Sequence, residues 1–204
     1  MKIFGKTLTL QKTIPWVLVV CGSIGLLCAG IITYDKIRLL ENPTFVPGCD
    51  LNPVISCGSV MQSAQAHAFG IPNPFIGLAG FAIVATIGMA MLAGATFKRW
   101  FWLGLQVGTI FGIGFVHWLF FESVYRIQAL CPYCMVVWIM TITLFWYVTL
   151  FNIQTGVIKL RGTWQKIGFF ARRHHLDMLL FWLIAIALFT LQHFWYYYGK
   201  HLHL

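Results

Sequence analysis

The stretch Cys131-Pro132-Tyr133-Cys134, followed by MVVWIMTITLFWYVTLF at residues 135–151, decides the fold of this chain. No residue from Met135 to Phe151 carries a charge, and about 20 apolar residues are enough for a helix to cross a bilayer. Pro132 suits the first turn of such a helix, because that turn does not use its backbone nitrogen as a donor. The sequence therefore predicts a membrane-spanning helix that begins at a Cys-x-x-Cys motif.

The composition of the whole chain indicates a multi-pass membrane protein. Only 9% of the 204 residues are charged, whereas soluble domains have about 25%. Apolar segments predict five spans, at roughly 14–34, 75–95, 100–121, 131–151 and 178–198. The predicted fold is therefore all-α, an integral membrane helical bundle. The net charge of +9 does not indicate nucleic-acid binding, because the basic residues lie in short segments between spans.

The distribution of Lys and Arg predicts the orientation of the bundle. Of the 14 basic residues, all but four lie on the N-terminal side of the membrane when the segments between spans are assigned to alternate sides. The positive-inside rule then makes the N-terminus cytoplasmic and turns the loops 35–74 and 122–130 outward. A cleaved signal peptide is the alternative for the first span. The uncharged stretch from Thr13 to Tyr34 is longer than a normal signal-peptide core, which favours a retained helix.

Glycines within the predicted spans favour close packing between helices. In the third span Gly104, Gly108 and Gly112 recur every four residues. The other glycines of this kind are Gly77, Gly80 and Gly88 in the second span, and Gly22 and Gly25 in the first.

Two of the six cysteines, Cys21 and Cys28, lie inside the first span. On one helix, with a rise of about 1.5 Å per residue, they are too far apart to form a disulfide. Both are interpreted as small packing residues.

The motif Cys131–Cys134 stands at the predicted outer end of the fourth span. Unpaired amides and the helix dipole favour a thiolate there, and a Cys-x-x-Cys pair can cycle between dithiol and disulfide. Soluble redox domains use the same motif, but no βαβ pattern surrounds it here. The context favours a redox centre at the membrane.

The outer loop contains a second pair, Cys49 and Cys57, among Pro, Gly and Asn residues typical of irregular structure. Ser56 is the predicted N-cap of one continuous helical segment at residues 57–68, which ends before Gly70 and lies at the membrane surface. The first turn of that segment also favours a thiolate at Cys57.

Two cysteine pairs on one side of the membrane favour a thiol–disulfide relay. Two alternatives remain open at this point. In one, Cys49–Cys57 is a structural disulfide and Cys131–Cys134 is an incidental one. The other is a zinc site with four thiolate ligands.

These residues resemble those of bacterial members of the vitamin K epoxide reductase family. The resemblance rests on Cys49 followed by Ile55-Ser56-Cys57, on FGIPNP at residues 69–74 and on Leu130-Cys131-Pro132-Tyr133-Cys134, and it covers roughly residues 14–151. It implies a four-helix core around a quinone, here followed by a fifth transmembrane helix. The implied activity is disulfide formation coupled to quinone reduction.

The resemblance also implies roles for the cysteines. Cys134 would lie next to the quinone, and Cys131 would exchange with the loop pair. Cys49 and Cys57 would form the shuttle. Within this pair we expect Cys49 to meet the partner and Cys57 to exchange with Cys131, because Cys57 begins the segment nearer the membrane.

Four further residues are candidates for the site. By resemblance, Asn73 would donate a hydrogen bond to a quinone carbonyl, although it also suits a turn between two prolines. Trp138 stands where relatives often have a hydrogen-bonding tyrosine, and Ser63 matches a serine near the pocket. His117 is an intramembrane histidine, for which we favour an interhelical hydrogen bond over proton handling.

The predicted organisation is a catalytic domain at residues 1–151 and a basic cytoplasmic loop with the fifth helix at residues 152–204. Many relatives carry a thioredoxin-like domain after the fifth span, whereas this sequence stops six residues past Tyr198. We therefore expect a separate extracytoplasmic thioredoxin-fold thiol oxidase as the partner.

The predicted cofactor is ubiquinone or menaquinone, no metal is required, and the predicted location is the inner membrane. The alternative functions are reduction of vitamin K epoxide and a non-enzymatic role in binding or transporting metal ions.

Overall fold

The computed structural model describes residues 10–202, and within them five helices are long and apolar enough to cross a membrane. They are α1 (Leu10–Glu41), α3 (Asn73–Leu92), α4 (Arg99–Phe121), α5 (Pro132–Gln154) and α7 (His175–Leu202). The shorter helices are α2 (Cys57–Gln62) and α6 (Thr163–Arg173). No strand occurs in the described part of the chain. The prediction of an all-α membrane bundle is confirmed. Lys2 and Lys6, which contribute to the charge count, lie outside the described residues.

Helix α1 packs against both α3 and α5. Its contact with α3 depends on glycine. A Cβ atom on Gly22 would lie 2.7 Å from the backbone nitrogen of Ala85, and one on Gly88 would lie 2.7 Å from that of Val19. Gly25 similarly faces the ring of Phe81. The packing role predicted for these glycines is confirmed.

The prediction for the third span is wrong at two positions. A Cβ atom on Gly104 or Gly108 would meet nothing within 4 Å, and the same is true of Gly80 on α3. Gly112 does approach another helix, at 3.2 Å from the Thr141 methyl group. The reason is that a cavity, rather than a packed interface, lies between the glycine-bearing faces of α3 and α4.

Polar side chains join α4 to α5 inside the bundle. Asn152 is fully buried, and its amide nitrogen donates to Oε1 of Gln106 at 2.9 Å. The amide nitrogen of Gln106 donates in turn to Thr149 Oγ1 at 2.9 Å. Because unpaired polar groups are costly in an apolar interior, these bonds favour one register between the two helices.

Helix α7 is joined to the bundle partly through His117 on α4. The Nδ1 atom of His117 lies 2.8 Å from the Ile113 carbonyl oxygen, and Nε2 accepts a hydrogen bond from the Trp182 indole at 3.2 Å. Nδ1 therefore carries the proton and donates to the carbonyl. The interpretation of His117 as an interhelical hydrogen-bonding residue is confirmed.

The segment expected to be a basic loop contains the helix α6. Trp164, Ile167 and Phe170 are exposed on one side of α6, whereas Lys166 and Arg173 occupy the other. This arrangement is typical of a helix that lies at the membrane surface.

Candidate redox site

Cys49 and Cys57 are joined by a disulfide, with their Cα atoms 5.7 Å apart. Cys57 is fully buried, and Cys49 retains 7% exposure. The loop pair is therefore a preformed disulfide whose Cys49 end is the more exposed.

The first turn of α2 fixes the position of Cys57. The Ser56 hydroxyl accepts a hydrogen bond from the Ser59 backbone nitrogen at 3.1 Å, which confirms Ser56 as the N-cap. The Asp50 carboxylate accepts from the Gly58 nitrogen at 2.9 Å. Both acceptors satisfy backbone donors that a helix start leaves unpaired, and Asp50 ties the Cys49 end of the loop to α2.

The prediction of one continuous helical segment at residues 57–68 is wrong. Helix α2 ends at Gln62, Ser63 is extended with ψ 154°, and a 3-10 turn follows at Ala64–His67. The Ser63 hydroxyl donates to the Val60 carbonyl oxygen at 2.7 Å. Serine side chains compete for backbone groups in this way, which favours helix ends over helix interiors.

Cys131 is the N-cap of α5, and Pro132 is in the first turn, as predicted. The Cys131 sulfur accepts a hydrogen bond from the Cys134 backbone nitrogen at 3.4 Å. The pKa of Cys131 is lowered, chiefly because the Cys134 thiol donates a hydrogen bond to it, although burial opposes the shift. Backbone donors of Cys134 and Tyr133 add to the lowering, and the Asp35 carboxylate opposes it. Cys131 is therefore the member of the inner pair that loses its proton more readily.

A backbone contact between the outer loop and the start of α5 brings the two pairs together. Ile55 and Leu130 form an isolated parallel bridge. The Ser56 nitrogen donates to the Leu130 carbonyl at 3.0 Å, and the Leu130 nitrogen donates to the Val54 carbonyl at 2.7 Å. Cys57 and Cys131 directly follow Ser56 and Leu130, whose backbones are joined by a hydrogen bond.

All four cysteines of the predicted relay meet in one apolar cluster at this end of the bundle. Cys49, Cys57 and Cys131 are buried in it together with Ile32, Leu39 and Met61, and Cys134 packs against its edge. The structure thus brings together two cysteine pairs that are distant from each other in the sequence.

Metal binding is a poorer description of this cluster than disulfide exchange. In the described part of the chain, the ligand atoms that gather within 4.8 Å of one another are those of Cys49, Asp50 and Cys57. Two of these residues form the disulfide, and neither Cys131 nor Cys134 belongs to the group. The arrangement does not match a site with four thiolates.

A cavity of about 540 Å³ extends from the inner cysteine pair along α3 and α4. Its lining is mostly apolar, and it includes Cys134, Asn73, Trp138 and Ser63. These four residues therefore border one continuous space. Cys131 does not border it and is buried in the cysteine cluster. The inner pair connects the cavity with the loop disulfide.

Asn73 begins α3 and makes two hydrogen bonds with the preceding loop. Its Oδ1 accepts from the Ala68 nitrogen at 3.0 Å, and its Nδ2 donates to the Gln65 carbonyl at 2.7 Å. An amide nitrogen has two donor hydrogens, so one remains for a molecule in the cavity. Asn73 is thus both a turn residue and a cavity residue.

Trp138 is 5% exposed and meets the ring of Phe120 edge-on, with centroids 5.6 Å apart. It lies one turn after Cys134 on the same helix, which places its ring near that thiol. The Ser63 hydroxyl also borders the cavity. Its oxygen can still accept a hydrogen bond while it donates to Val60.

Sequence reasoning missed a buried carboxylate beside the cavity, that of Glu122. Glu122 begins a π-helical turn at Glu122–Ile127, and its carboxylate lies 3.2 Å from the Arg126 guanidinium. The same carboxylate accepts from Gln65 Nε2 at 3.1 Å, and Gln65 borders the cavity. The sequence signal that could have revealed it is an acidic residue directly after an apolar span.

The model of the vitamin K epoxide reductase family matches residues 16–149, which is well over half of the chain. The chain belongs to the vitamin K epoxide reductase family. The matched range includes the loop pair, the inner pair and α1 through most of α5, so the resemblance seen in the sequence is confirmed. Membership assigns the protein to the oxidoreductases that carry out disulfide and quinone chemistry in membranes. Comparison with curated proteins gave no match.

The cavity fits the quinone that the family implies. It is apolar, it borders the Cys134 thiol, and Asn73 offers a hydrogen-bond donor at its edge. These are the features expected of a site for an apolar ring with a carbonyl group.

Proposed function

We propose that this protein oxidises a thioredoxin-fold partner outside the cytoplasm and passes the electrons to ubiquinone or menaquinone. The observation that carries the proposal is the position of the inner pair. Cys131 packs with the loop disulfide, whereas Cys134 borders the apolar cavity. One Cys-x-x-Cys motif therefore links a protein-facing disulfide to a site for a membrane-soluble acceptor.

In the first step, a thiolate of the partner attacks Cys49 and breaks the Cys49–Cys57 bond. The greater exposure of Cys49 supports this order. The second thiol of the partner then attacks the mixed disulfide between the partner and Cys49. The partner leaves in its disulfide form, and Cys49 and Cys57 remain as thiols. In-line access of a thiolate to a sulfur atom governs each exchange.

In the second step, Cys57 attacks Cys131 of the oxidised inner pair and releases Cys134. Cys49 then attacks Cys57, which restores the loop disulfide and releases Cys131. The contact between Ile55 and Leu130 supports this pairing, because it holds Cys57 beside the start of α5. Cys131 leaves readily because its pKa is lowered.

In the last step, Cys131 and Cys134 form a disulfide and lose two electrons. A bound quinone supplies the electron acceptor. The two thiols lose two protons together with the two electrons, and Cys134 gives up its proton towards the cavity. Asn73 and Trp138 orient the acceptor, with Asn73 as donor to a carbonyl oxygen and Trp138 as a wall of the site.

The proposed location is the inner membrane, with the N-terminus in the cytoplasm and the cysteine cluster on the periplasmic side. Its support is the distribution of basic residues, which include Lys98, Arg99 and the group around α6 on the predicted cytoplasmic side.

Quinone reduction by the purified protein tests the proposal. The assay supplies a reduced thioredoxin-fold oxidase and compares the wild type with a single alanine substitution at each of the six cysteines. We expect loss of activity at Cys49, Cys57, Cys131 and Cys134. Cys21→Ala and Cys28→Ala are the matched controls and should retain activity. Wild-type quinone reduction by Cys134→Ala would refute the proposal.

A further inference from the structure

Asp50 is a half-buried carboxylate beside the loop disulfide, and the chemical steps described above do not use it. One of its oxygen atoms and the sulfur atoms of Cys49 and Cys57 all lie within 4.8 Å of one another. A general base acts within hydrogen-bond distance of the proton it removes, or through one water molecule. The Asp50 carboxylate is therefore close enough to take a proton from either sulfur atom when the loop pair is reduced.

Backbone contacts hold the Asp50 carboxylate over the first turn of α2. The Asp50 nitrogen donates to the Pro47 carbonyl oxygen at 3.0 Å, and the Leu51 nitrogen donates to the Ile55 carbonyl oxygen at 2.9 Å. Oδ1 of Asp50 accepts from the Gly58 nitrogen at 2.9 Å. A Cβ atom on Gly58 would lie 2.6 Å from Oδ2. Glycine at position 58 therefore leaves the space that the carboxylate occupies beside the disulfide.

The charged groups of α1 leave the Asp50 carboxylate without a cationic partner. None of the ion pairs among the described residues involves Asp50. Asp35 carries a like charge that interacts with it. Lys36 donates from Nζ to a backbone carbonyl oxygen of α2 at 2.8 Å, and Arg38 pairs with Glu41 at 3.8 Å.

The other elements at this end of the bundle supply no alternative base at the loop sulfur atoms. Cys131 and Cys134 stand at the start of α5. Glu122 pairs with Arg126 in the π-helical turn at 3.2 Å, and His67 ends the 3-10 turn. Within the described part of the chain, the carboxylate of Asp50 is the one acid or imidazole that gathers with both loop sulfur atoms within 4.8 Å.

We propose that Asp50 is the base that removes the protons of Cys57 and Cys49 when the inner pair reoxidises the loop pair. This inference rests on the proposed relay and supplies a base for its internal exchange. A thiol must become a thiolate before it can attack a disulfide. Cys57 is fully buried and Cys49 is nearly so, which leaves water poor access to their protons. Asp50 is only half-buried, so it can return each proton to water.

The exchange balances over two attacks. In the first, the Cys57 S–H bond breaks and its proton moves to Asp50. The Cys57 sulfur then bonds to Cys131, and Cys134 leaves with the electron pair of the broken disulfide. Asp50 releases the first proton to water and takes the proton of Cys49. The Cys49 sulfur bonds to Cys57, and Cys131 leaves with the electron pair of the Cys57–Cys131 bond. The loop pair loses two electrons and two protons, and the inner pair gains two electrons and takes up two protons from water.

The experiment follows thiols rather than quinone. Fully oxidised protein in detergent is mixed with reduced thioredoxin in the absence of quinone. Samples are quenched with an alkylating reagent, and the free thiols at the loop pair and at the inner pair are counted by mass spectrometry against time. The variants are Asp50→Asn, which keeps an oxygen that can accept from Gly58, and Asp50→Glu. Glu41→Gln is the control, because it removes an exposed carboxylate at the end of α1.

We expect the loop pair of Asp50→Asn to be reduced at least as fast as that of the wild type. Its inner pair should be reduced more slowly by a factor of roughly ten or more, in line with the contribution of a general base. The inner-pair rate of this variant should rise about tenfold per pH unit below the pKa of the thiol, because only the thiolate attacks, whereas the wild-type rate should depend less on pH. Asp50→Glu should recover part of the rate, and Glu41→Gln should match the wild type.

Two outcomes would overturn the inference. One is a wild-type inner-pair rate in Asp50→Asn, and the other is an equal slowing of both pairs, which would indicate a structural role for the bond to Gly58. Failure of the relay itself looks different, because the inner pair of the wild-type protein would then never become reduced.

Discussion

The sulfur atoms of Cys131 and Cys134 belong to one helical turn but have different surroundings. Cys131 accepts hydrogen bonds at the start of α5, whereas Cys134 donates one to it and borders the cavity. The motif and Pro132 predicted the helix start from sequence. The different surroundings of the two sulfur atoms depend on the packing around α5, which the motif alone does not determine.

The lowered pKa of Cys131 leads to a prediction about reactivity. Removal of the donor in Cys134→Ala should raise this pKa, because the thiol of Cys134 is its largest cause. The alkylation rate of Cys131, measured against pH by mass spectrometry, should then reach its half-maximum at a higher pH. Cys134→Ser, which keeps a donor, should stay closer to the wild type. An unchanged midpoint in Cys134→Ala would contradict this explanation of the shift.

Asn73 should contribute to both stability and quinone affinity. Asn73→Ala removes two hydrogen bonds, each with a net value of about 0.5–1.5 kcal/mol. We expect a loss of about 1–3 kcal/mol in the free energy of unfolding and a higher KM for quinone.

Asn52→Ala provides the control for Asn73, because Asn52 also accepts two backbone hydrogen bonds in the loop but does not border the cavity. It should lower stability by a similar amount and leave KM unchanged. A rise in KM of the same size in both variants would show that loop stability, rather than contact with quinone, sets the affinity.

At the scale of elements, hydropathy and capping residues predicted the helices better than they predicted the tertiary contacts between elements. The five spans follow from their apolar length, and the N-cap Ser56 and the position of Pro132 in the first turn of α5 follow from local sequence. The contact between Ile55 and Leu130 was not predicted, because two single residues give no strand pattern. The roles of the glycines in α3 and α4 were predicted only in part, because glycine is found both at close helix contacts and beside an open cavity.

A matched pair of glycine substitutions separates these two uses. Gly88→Ala should force α1 and α3 apart and destabilise the protein by about 1–3 kcal/mol, because its Cβ would lie 2.7 Å from the Val19 nitrogen. Gly108→Ala should change stability little, because its Cβ enters open space. Thermal unfolding in detergent would measure both, and equal melting temperatures would be inconsistent with the packing described here.

The whole molecule places a disulfide exchange cluster at one end of a long apolar cavity. The sequence resemblance led us to expect a quinone site, and the cavity supplies the space for one. The helix–helix geometry that creates this space could not be derived from hydropathy, because lipid-facing and cavity-facing residues are equally apolar. The order of the elements was therefore predictable, whereas the shape of the site was not.

Filling the cavity should separate its role from that of the cysteine cluster. Gly108→Phe would place a ring in the cavity, and we expect quinone reduction to fall by at least tenfold while disulfide exchange with a reduced thioredoxin-fold protein continues. Gly114→Phe is the control, since Gly114 has open space around it but does not border the cavity. Equal activity of the two variants in a quinone reduction assay would argue against this cavity as the site.

Trapping of the exchange intermediate tests the central claim most directly. In a protein without Cys21 and Cys28, the pair of substitutions Cys49→Ala and Cys134→Ala leaves Cys57 and Cys131 as the remaining thiols. Mild oxidation followed by peptide mass spectrometry should then show a Cys57–Cys131 disulfide as the main product. The matched protein with Cys57→Ala and Cys134→Ala should form much less of a Cys49–Cys131 bond. Absence of any bond between the loop and Cys131, or a preference for Cys49, would contradict the proposed relay.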